Sequence, residues 1–366
     1  MAKVDSQISG AWFEDHDPGD RLFHKIGDLE LESGEVLQDV TIAYQSWGTL
    51  NEERDNAILV NHALTGWSDI PGWWPSMVGP GAPLDSDKYF IICPNVIGGC
   101  QGSTGPSSLA PDGKRWGSRF PRITIRDMVA AELALADRLG ITKFVLSLGP
   151  SLGGMRALEW AITHPDRVGA IATIGSSAVA TGDQIGTASI QIRAIETDPN
   201  FFAGDYYEES AGPINGMGLA RRIAHLTYRT ESEMDVRFGR EIQGDETGRW
   251  AVESYLDHHA DKLASRFDAN TYISLTDAMN SHDVGRGRGG VAAALATITV
   301  PTYVMAIETD RLFPPRLQEE IAELTPTAAP IERLNSPFGH DGFLIEVETV
   351  GDFLRRAVVA GSKHLR

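Results

Sequence analysis

The stretch "GPSLGGMRALEW", residues 149–160, places one serine among three glycines, at the point where an apolar strand ends and a helical pattern begins. Ser151 and its flanking glycines match the pattern Gly-x-Ser-x-Gly. The simplest interpretation is a turn whose serine caps the helix. The position between a strand and a helix favours a second interpretation, a strained turn that presents the serine hydroxyl as a nucleophile near the positive end of the helix dipole.

A serine nucleophile needs a base, and this type of turn predicts an acidic residue and then a histidine downstream. Asp310 closes a predicted strand at residues 300–310, and His340 lies in the loop "NSPFGHDGF", residues 335–343. Alone, Asp310 could cap a helix and His340 could be a surface histidine. Their order and their positions at strand ends favour a triad of Ser151, Asp310 and His340.

Strand-like and helical segments alternate along the chain, which predicts an α/β fold with a mostly parallel sheet flanked by helices. Residues 29–37 are typical of an antiparallel hairpin at the sheet edge, turning at Ser33 and Gly34. A helix is predicted at residues 124–140, and a second follows Ser151 and stops at Pro165. Further strands are predicted at residues 40–48, 57–63, 88–96, 143–149, 167–175 and 300–310.

The segment at residues 176–298 has helical patterns and acidic patches but no convincing buried strand. We therefore predict a helical lid domain inserted between two strands of the sheet. Residues 1–175 and 299–366 would form the core domain.

The composition limits the classes of partner. The chain has 366 residues, of which 42% are hydrophobic, and a net charge of -18, which disfavours nucleic acid and anionic membranes as partners. The N-terminus has no signal-peptide pattern and no apolar run approaches the roughly 20 residues of a membrane span, so we expect a soluble, cytoplasmic protein. Cys93 and Cys100 are too few for a disulfide framework and match no zinc pattern, so we expect reduced, structural cysteines and no metal.

Many stretches of the chain resemble one family, the homoserine O-acetyltransferases of methionine biosynthesis, which have the α/β-hydrolase fold. The resemblance runs from about residue 20 to residue 356. One departure lies at the nucleophile, where Pro150 and Leu152 flank Ser151 and the family usually has Gly-Gly-Ser-Met-Gly. The stretches that resemble the family include "NHALTG" (61–66), "NVIGGCQGSTGPSS" (95–108), "WGSRFPRITIRD" (116–127), "RRIAHLTYR" (221–229), "DKLASRFDANTY" (261–272), "SHDVGRGRGG" (281–290) and "FGHDGF" (338–343).

The resemblance implies transfer of an acetyl group from acetyl-CoA to the hydroxyl of L-homoserine through an acetyl-serine intermediate, with no permanently bound cofactor. In this scheme His340 is the base that serves Ser151, and Asp310 orients and stabilises the imidazole. The backbone amides of Leu64 and Leu152 would bind the oxyanion. The resemblance also implies a homodimer that forms through the lid.

Charged residues are candidates for binding the two substrates. By resemblance, Arg221 would bind the carboxylate of homoserine, and Asp341 would bind its ammonium group. Without the resemblance, Arg221 would be interpreted as a solvated lid residue and Asp341 as a helix N-cap. Arg286 and Arg288 in "GRGRGG" are candidates for the CoA phosphates, with a plain lid turn as the alternative.

Other functions use the same residues and stay open at this point. Relatives could use succinyl-CoA or accept serine. An esterase or thioesterase would need only the triad, and a binding protein on a hydrolase scaffold would not need it.

Overall fold

The computed structural model describes residues 8–244 and 248–366, and its central feature is a sheet of eight strands. Only β2 runs against the others, because it pairs antiparallel with both β1 and β6. The strand order is β1-β2-β6-β3-β7-β8-β9-β10, while β4 and β5 form a separate pair. The strands are β1 Leu22–Glu30, β2 Val36–Trp47, β3 Ala57–Val60, β4 Val78–Gly79, β5 Leu84–Asp85, β6 Phe90–Pro94, β7 Phe144–Pro150, β8 Ile171–Ile174, β9 Thr302–Ile307 and β10 Glu332–Leu334.

Helices cover the sheet and fill the long connection between β8 and β9. In chain order they are α1 Ile70–Trp73, α2 Ile125–Leu139, α3 Leu152–Thr163, α4 Gly182–Glu196, α5 Ile214–Tyr228, α6 Glu231–Phe238, α7 Ala251–Ala264, α8 Ala269–Asn280, α9 Val291–Leu295, α10 Arg316–Leu324, α11 Gly342–Ile345 and α12 Val347–His364. The prediction of a mostly parallel sheet flanked by helices is confirmed.

Local sequence explains several of these elements. Every residue of β3, β7 and β8 is buried, as continuous apolar runs require in a sheet covered on both faces. Helix α2 begins with a capping box, in which the Asp127 amide donates to Thr124 Oγ1 (3.3 Å) and the Thr124 amide donates to Asp127 Oδ2 (2.8 Å). It ends at Gly140, whose φ of 71° is left-handed.

The N-terminal hairpin differs from the prediction. The hairpin at residues 29–37 and the strand at residues 40–48 were expected to be separate, but β2 is continuous from the second arm of the hairpin into that strand and pairs with β1. Asp39 interrupts the alternation of apolar and polar residues because it takes a positive φ of 50°, opposite an irregular part of β1. The local break in the pattern is therefore a bulge within one strand.

The connection between β8 and β9 contains α4 to α9 and, in its described residues, no strand of the main sheet. Its buried side chains, such as Ile195, Met217 and Tyr272, belong to the same hydrophobic cluster as Leu152 and Met155 beneath them. The helices thus pack directly over the region of Ser151. The division into a core and a lid domain stays a prediction.

No described helix combines the length and the apolar character that crossing a bilayer would require.

Candidate active site

The functional candidates meet at one edge of the sheet. Ser151 follows β7, Gly175 follows β8, Asp310 follows β9 and His340 follows β10. These four strands are parallel, so their carboxyl ends lie side by side, where catalytic groups gather in open α/β sheets.

The turn at Ser151 has the strained backbone predicted for a nucleophile. Its φ is 54° and its ψ is -123°, and its side chain makes no capping hydrogen bond to α3. A Cβ on Gly153 would overlap the Asn61 carbonyl oxygen, and one on Gly154 would lie 2.5 Å from the Ser176 Cβ. The glycines therefore allow the turn to pack against neighbouring backbone, and the serine is not the cap of its helix.

Pro150 does not disturb this geometry. The amides of Ser147 and Ser151 donate to the carbonyls of Ala170, just before β8, and Ile174, at its end, at 3.1 and 2.9 Å. By alternation, the Pro150 nitrogen points the other way, toward β3. β3 ends at Val60, which pairs with Leu148. The ladder continues through one more bond, from the Asn61 amide to the Leu148 carbonyl (2.8 Å). The next donor position on β7 is Pro150, so the missing N–H ends the pairing with β3 and removes no bond to β8.

His340 and Asp310 form a buried hydrogen-bonded pair. His340 Nδ1 donates to Asp310 Oδ2 (2.6 Å), and Asp310 Oδ1 accepts from the amides of Leu312 and Phe313 at 2.9 and 2.8 Å. Burial disfavours the charged imidazole, but the Asp310 carboxylate, helped by Asp341, raises the pKa of His340 above its ordinary value. The bond to Nδ1 leaves Nε2 as the nitrogen available to act as a base.

Leu64, whose amide is expected in the oxyanion hole, lies in the loop at residues 62–66 and lines the same pocket as Ser151. Neither that amide nor the Leu152 amide donates to another residue of the described chain. Arg156 Nη2 donates to the His62 carbonyl (2.6 Å), and Arg266 Nη1 donates to the Thr65 carbonyl (2.8 Å). The loop is therefore fixed on both sides of Leu64.

His62 anchors the same loop through its ring. Its Nδ1 bonds to the Ala63 carbonyl (2.8 Å), and its Nε2 accepts from the Val96 amide (3.1 Å). Burial, together with the charge of Arg156, lowers the pKa of His62 to about 3. The ring therefore stays neutral and keeps the lone pair that accepts from Val96.

Ser151 and His340 open into one cavity of about 200 Å³ between the sheet and the helices. Its wall includes side chains from α3, α4, α5, α8 and the loop at residues 63–67. The predicted residues that line it are Leu64, Ser151, Arg221, His340 and Asp341.

Arg221 and Arg222 point in different directions, because neighbouring residues of an α-helix are about 100° apart around its axis. Arg221 lines the cavity, and its Nε and Nη1 are buried with no hydrogen-bond partner in the described structure. Its guanidinium lies 5.3 Å from the centre of the Tyr228 ring. Arg222 instead forms an ion pair with Asp257 on α7 and does not line the cavity.

Asp341 lines the cavity beside His340. Asp341 stands at the N-cap position of α11, as the alternative interpretation expected, but its side chain makes no capping hydrogen bond and lines the cavity instead. Its Oδ2 lies 3.4 Å from Arg229 Nη1. Its carboxylate therefore faces the same space as Arg221.

Arg286 and Arg288 are not brought to the cavity. Arg286 pairs with Glu32 at 2.9 Å, and Arg288 pairs with both carboxylate oxygens of Glu159. Both positive charges are thus already paired with carboxylates. The structure gives no support to a role in binding CoA phosphates and favours the lid turn.

Sequence reasoning missed Arg266 as a residue of the cavity. Its guanidinium lies 4.7 Å from the centre of the Trp67 ring, and its pKa falls to about 10 because of burial and the nearby Arg221. It remains charged at neutral pH. The only signal in the sequence was its place in "DKLASRFDANTY", where it follows a helical pattern without any chemical motif.

The two cysteines lie away from this chemistry. Cys93 and Cys100 are buried and unpaired, and burial raises the pKa of both thiols, that of Cys100 to about 12. Among the described residues, no group of three or more acidic, histidine or cysteine side chains could hold a metal ion.

Comparison with known proteins extends these observations. A family model of the alpha/beta hydrolase fold matches residues 56–346. The homoserine O-acetyltransferase of Thermobifida fusca (strain YX) is 53% identical over 363 residues, covering 95% of this chain and 96% of that protein. This chain belongs to the homoserine O-acetyltransferase family. The family predicted from the sequence motifs is therefore confirmed.

Solved structures show how widely the fold of the homoserine O-acetyltransferase family is used. The crystal structure of esterase E22 matches with a TM-score of 0.85 at 25% identity, covering 92% of this chain and 99% of that one. The homoserine O-acetyltransferase of Bacillus anthracis matches with a TM-score of 0.84 at 24% identity, covering 92% and 97%. An esterase and a transferase share this architecture, so the reaction has to be argued from the residues of the cavity.

Proposed function

We propose that this protein transfers an acetyl group from acetyl-CoA to the hydroxyl of L-homoserine. One observation supports this most directly. The cavity at Ser151 also holds a buried guanidinium with unused N–H groups, Arg221, and a carboxylate, Asp341. A free amino acid carries the complementary carboxylate and ammonium, whereas hydrolysis by water needs neither charge.

In the first half-reaction His340 takes the proton of Ser151, whose oxygen attacks the thioester carbonyl of acetyl-CoA. The amides of Leu64 and Leu152 stabilise the oxyanion. The carbon–sulfur bond breaks, CoA leaves as the thiol with the proton from His340, and an acetyl ester remains on Ser151. Asp310 stabilises the imidazolium that forms in between.

In the second half-reaction homoserine enters with its carboxylate on Arg221 and its ammonium on Asp341. His340 deprotonates its hydroxyl, which attacks the acetyl-serine ester, and Ser151 regains its proton as O-acetylhomoserine forms. No cofactor other than acetyl-CoA, which is consumed as a substrate, takes part in this scheme. The helices over the cavity act as a lid that disfavours water as the acceptor.

Two copies of the protein would also form a homodimer through contacts between their lids. Leu219 and Leu226 on α5 are about half exposed, at 51% and 46%, and lie seven residues apart on the same side of the helix. Burial of such side chains against a second copy is favourable. Light scattering would then give twice the chain mass of 39.7 kDa. We also propose a cytoplasmic location for this biosynthetic enzyme.

The decisive experiment detects the acetyl group on Ser151. Incubation with acetyl-CoA and no acceptor should add one acetyl group to the peptide that contains Ser151, and homoserine should remove it as O-acetylhomoserine. Ser151→Ala should abolish the adduct and turnover. Ser177→Ala is the matched control, because Ser177 is also buried after a neighbouring strand but does not line the cavity. Turnover by Ser151→Ala would refute the mechanism.

The alternative functions are separated by the products. An esterase or thioesterase would release acetate faster than it forms O-acetylhomoserine when homoserine is present. Parallel reactions with succinyl-CoA and with serine measure the choice of donor and of acceptor. The paired charges of Arg221 and Asp341 favour transfer to an amino acid over hydrolysis.

A further inference from the structure

A chain of alternating charges connects helices α5 and α6 of the proposed lid to the loop at residues 335–343, which carries His340 and is called the catalytic loop below. It runs from Asp341, beside His340, to Arg229 at the end of α5, then to Glu233 on α6. Arg237, one turn further along α6, lies 3.7 Å from Glu233. The side chains of Arg229 and Glu233 are only 7% and 8% exposed, so their charges are poorly screened by solvent.

Arg229 is shared unequally between its two carboxylates. Its Nε and Nη2 donate to the two oxygens of Glu233, at 3.1 and 2.6 Å. Its Nη1 makes a single contact of 3.4 Å with Asp341. Two-point contacts between guanidinium and carboxylate are strong, and a single contact at this distance is weak. The Arg229 guanidinium is therefore positioned mainly by Glu233 and forms only a weak ion pair with Asp341.

The same part of the lid rests against the catalytic loop. Thr230 Oγ1 donates to the Pro337 carbonyl (2.7 Å), and the Arg229 guanidinium lies 5.0 Å from the centre of the Phe338 ring. A Cβ on Gly339 would lie 2.5 Å from the Tyr228 carbonyl oxygen. These contacts keep Arg229 within reach of Asp341.

From this arrangement we infer that Glu233 is a positioning residue for the acceptor. By holding Arg229 in a two-point pair, it leaves the Asp341 carboxylate free to bind the ammonium group of the incoming amino acid. The inference rests on the proposed function, in which Asp341 binds that group. It adds two residues, Arg229 and Glu233, that touch neither substrate and yet set the affinity for one of them.

Removing the charge of Glu233 should weaken acceptor binding. In Glu233→Gln, Arg229 loses its carboxylate partner, and Asp341 is the other carboxylate that it contacts in the described structure. The guanidinium should then pair more closely with Asp341 and compete with the substrate ammonium. We expect the KM for homoserine to rise about tenfold, because the competing guanidinium weakens binding of the ammonium group to Asp341 without blocking it.

A second variant shows whether Glu233→Gln acts through competition of Arg229 for Asp341 or through a general loss of structure around the ion pair. Arg229→Met combined with Glu233→Gln removes both the competing cation and its partner, so Asp341 is again available. We expect the KM for homoserine to return to within about threefold of the wild-type value, the non-additive result that coupled residues give. A merely structural role for the pair predicts a double variant at least as impaired as Glu233→Gln.

The experiment measures acetylation of Ser151 by acetyl-CoA, the KM for homoserine and thermal unfolding for each protein. Glu231→Gln is the matched control, since it removes the same charge from an exposed position on the same helix. Acetylation rates within about twofold of wild type, with the KM changes above, would support the inference.

The outcomes distinguish the two proposals. A wild-type protein that forms no O-acetylhomoserine would overturn the proposed function and this inference with it. An active wild type with an unchanged KM in Glu233→Gln, or a double variant that is not restored, would overturn only the role of Glu233.

Discussion

At the scale of single residues, the neighbours Arg221 and Arg222 allow the acceptor site to be tested. Arg221→Ala should leave acetylation of Ser151 nearly unchanged, because no charge of the acceptor is bound in that step. It should slow transfer to homoserine by about 2 to 5 kcal/mol of transition-state free energy, the range for losing one partner of a buried charge pair. Rapid-quench measurement of each half-reaction gives both values.

Arg222→Ala is the control for this prediction. Arg222 has the same charge and lies on the same helix, but it pairs with Asp257 outside the cavity. Its loss should change neither half-reaction by more than about twofold, since partly exposed ion pairs contribute little. Equal slowing of acetylation and transfer in Arg221→Ala would mean that this arginine does not bind the acceptor.

The titration of His340 gives a second prediction. Its pKa lies above 6.5 because Asp310 and Asp341 outweigh the effect of burial. His340 must be neutral to accept the Ser151 proton, so acetylation should fall as the pH drops through this raised pKa. Asp341→Asn removes one of the two charges and should move the acid limb of kcat/KM for acetylation to lower pH.

Asp235→Asn controls for the change in net charge, because Asp235 is exposed on α6 and does not contact His340. Its acid limb should match that of the wild type. An acid limb that moves to higher pH in Asp341→Asn would contradict the cause given for the raised pKa of His340.

The local structure around a chemical motif could be predicted from the sequence. The surroundings of a charged residue that belongs to no motif could not. The strained turn at Ser151 was predictable because the glycines beside it and the change from strand to helix are local features of the sequence. Arg286 and Arg288 were proposed for phosphate binding because the sequence does not show that Glu32 and Glu159 lie beside them. Arg266 was missed for the same reason, since its position in the cavity depends on how two distant segments pack.

At the scale of elements, the junction of β7 with α3 depends on close contact with the segment after β3. In Gly153→Ala the new Cβ would overlap the Asn61 carbonyl oxygen, and neither segment can move without disturbing its strand. We expect a loss of about 3 kcal/mol or more in the free energy of unfolding. Chemical denaturation, followed by tryptophan fluorescence, measures it.

Gly186→Ala is the matched control within a helix. A Cβ at Gly186 on α4 would meet no atom within 4 Å. We expect this substitution to stabilise the protein by about 0.5 to 1 kcal/mol, since alanine loses less backbone entropy than glycine. A Gly153→Ala protein as stable as Gly186→Ala would show that the junction can relax and that its glycine is not required.

Element boundaries were predictable where local signals were strong. The capping box at Thr124 and the glycine at residue 140 define α2 within one residue of the prediction. β2 was divided in two because a bulge looks like a turn when its partner strand is unknown. The pairing of Arg229 with Glu233 and Asp341 joins α5, α6 and the catalytic loop, and no local pattern could indicate it.

At the scale of the whole molecule, the charge of -18 opposes the approach of the anionic donor acetyl-CoA. Arg286 and Arg288, between α8 and α9, are paired with carboxylates. Arg221 and Arg266 lie within the cavity, so these four arginines do little to offset the negative field outside it. Added salt screens repulsion between separated charges, with a screening length of about 10 Å at 0.1 M.

We therefore expect kcat/KM for acetyl-CoA to rise a few-fold between about 20 and about 200 mM sodium chloride, because encounter with a like-charged partner becomes less unfavourable. 4-Nitrophenyl acetate is the control substrate. In the proposed mechanism it would acetylate the same serine, but it has no charge, so its kcat/KM should stay constant over this range. A kcat/KM for acetyl-CoA that instead falls with salt would mean that an unpaired positive surface guides CoA to the cavity. The search for CoA-binding residues would then move to exposed arginines and lysines around the cavity mouth.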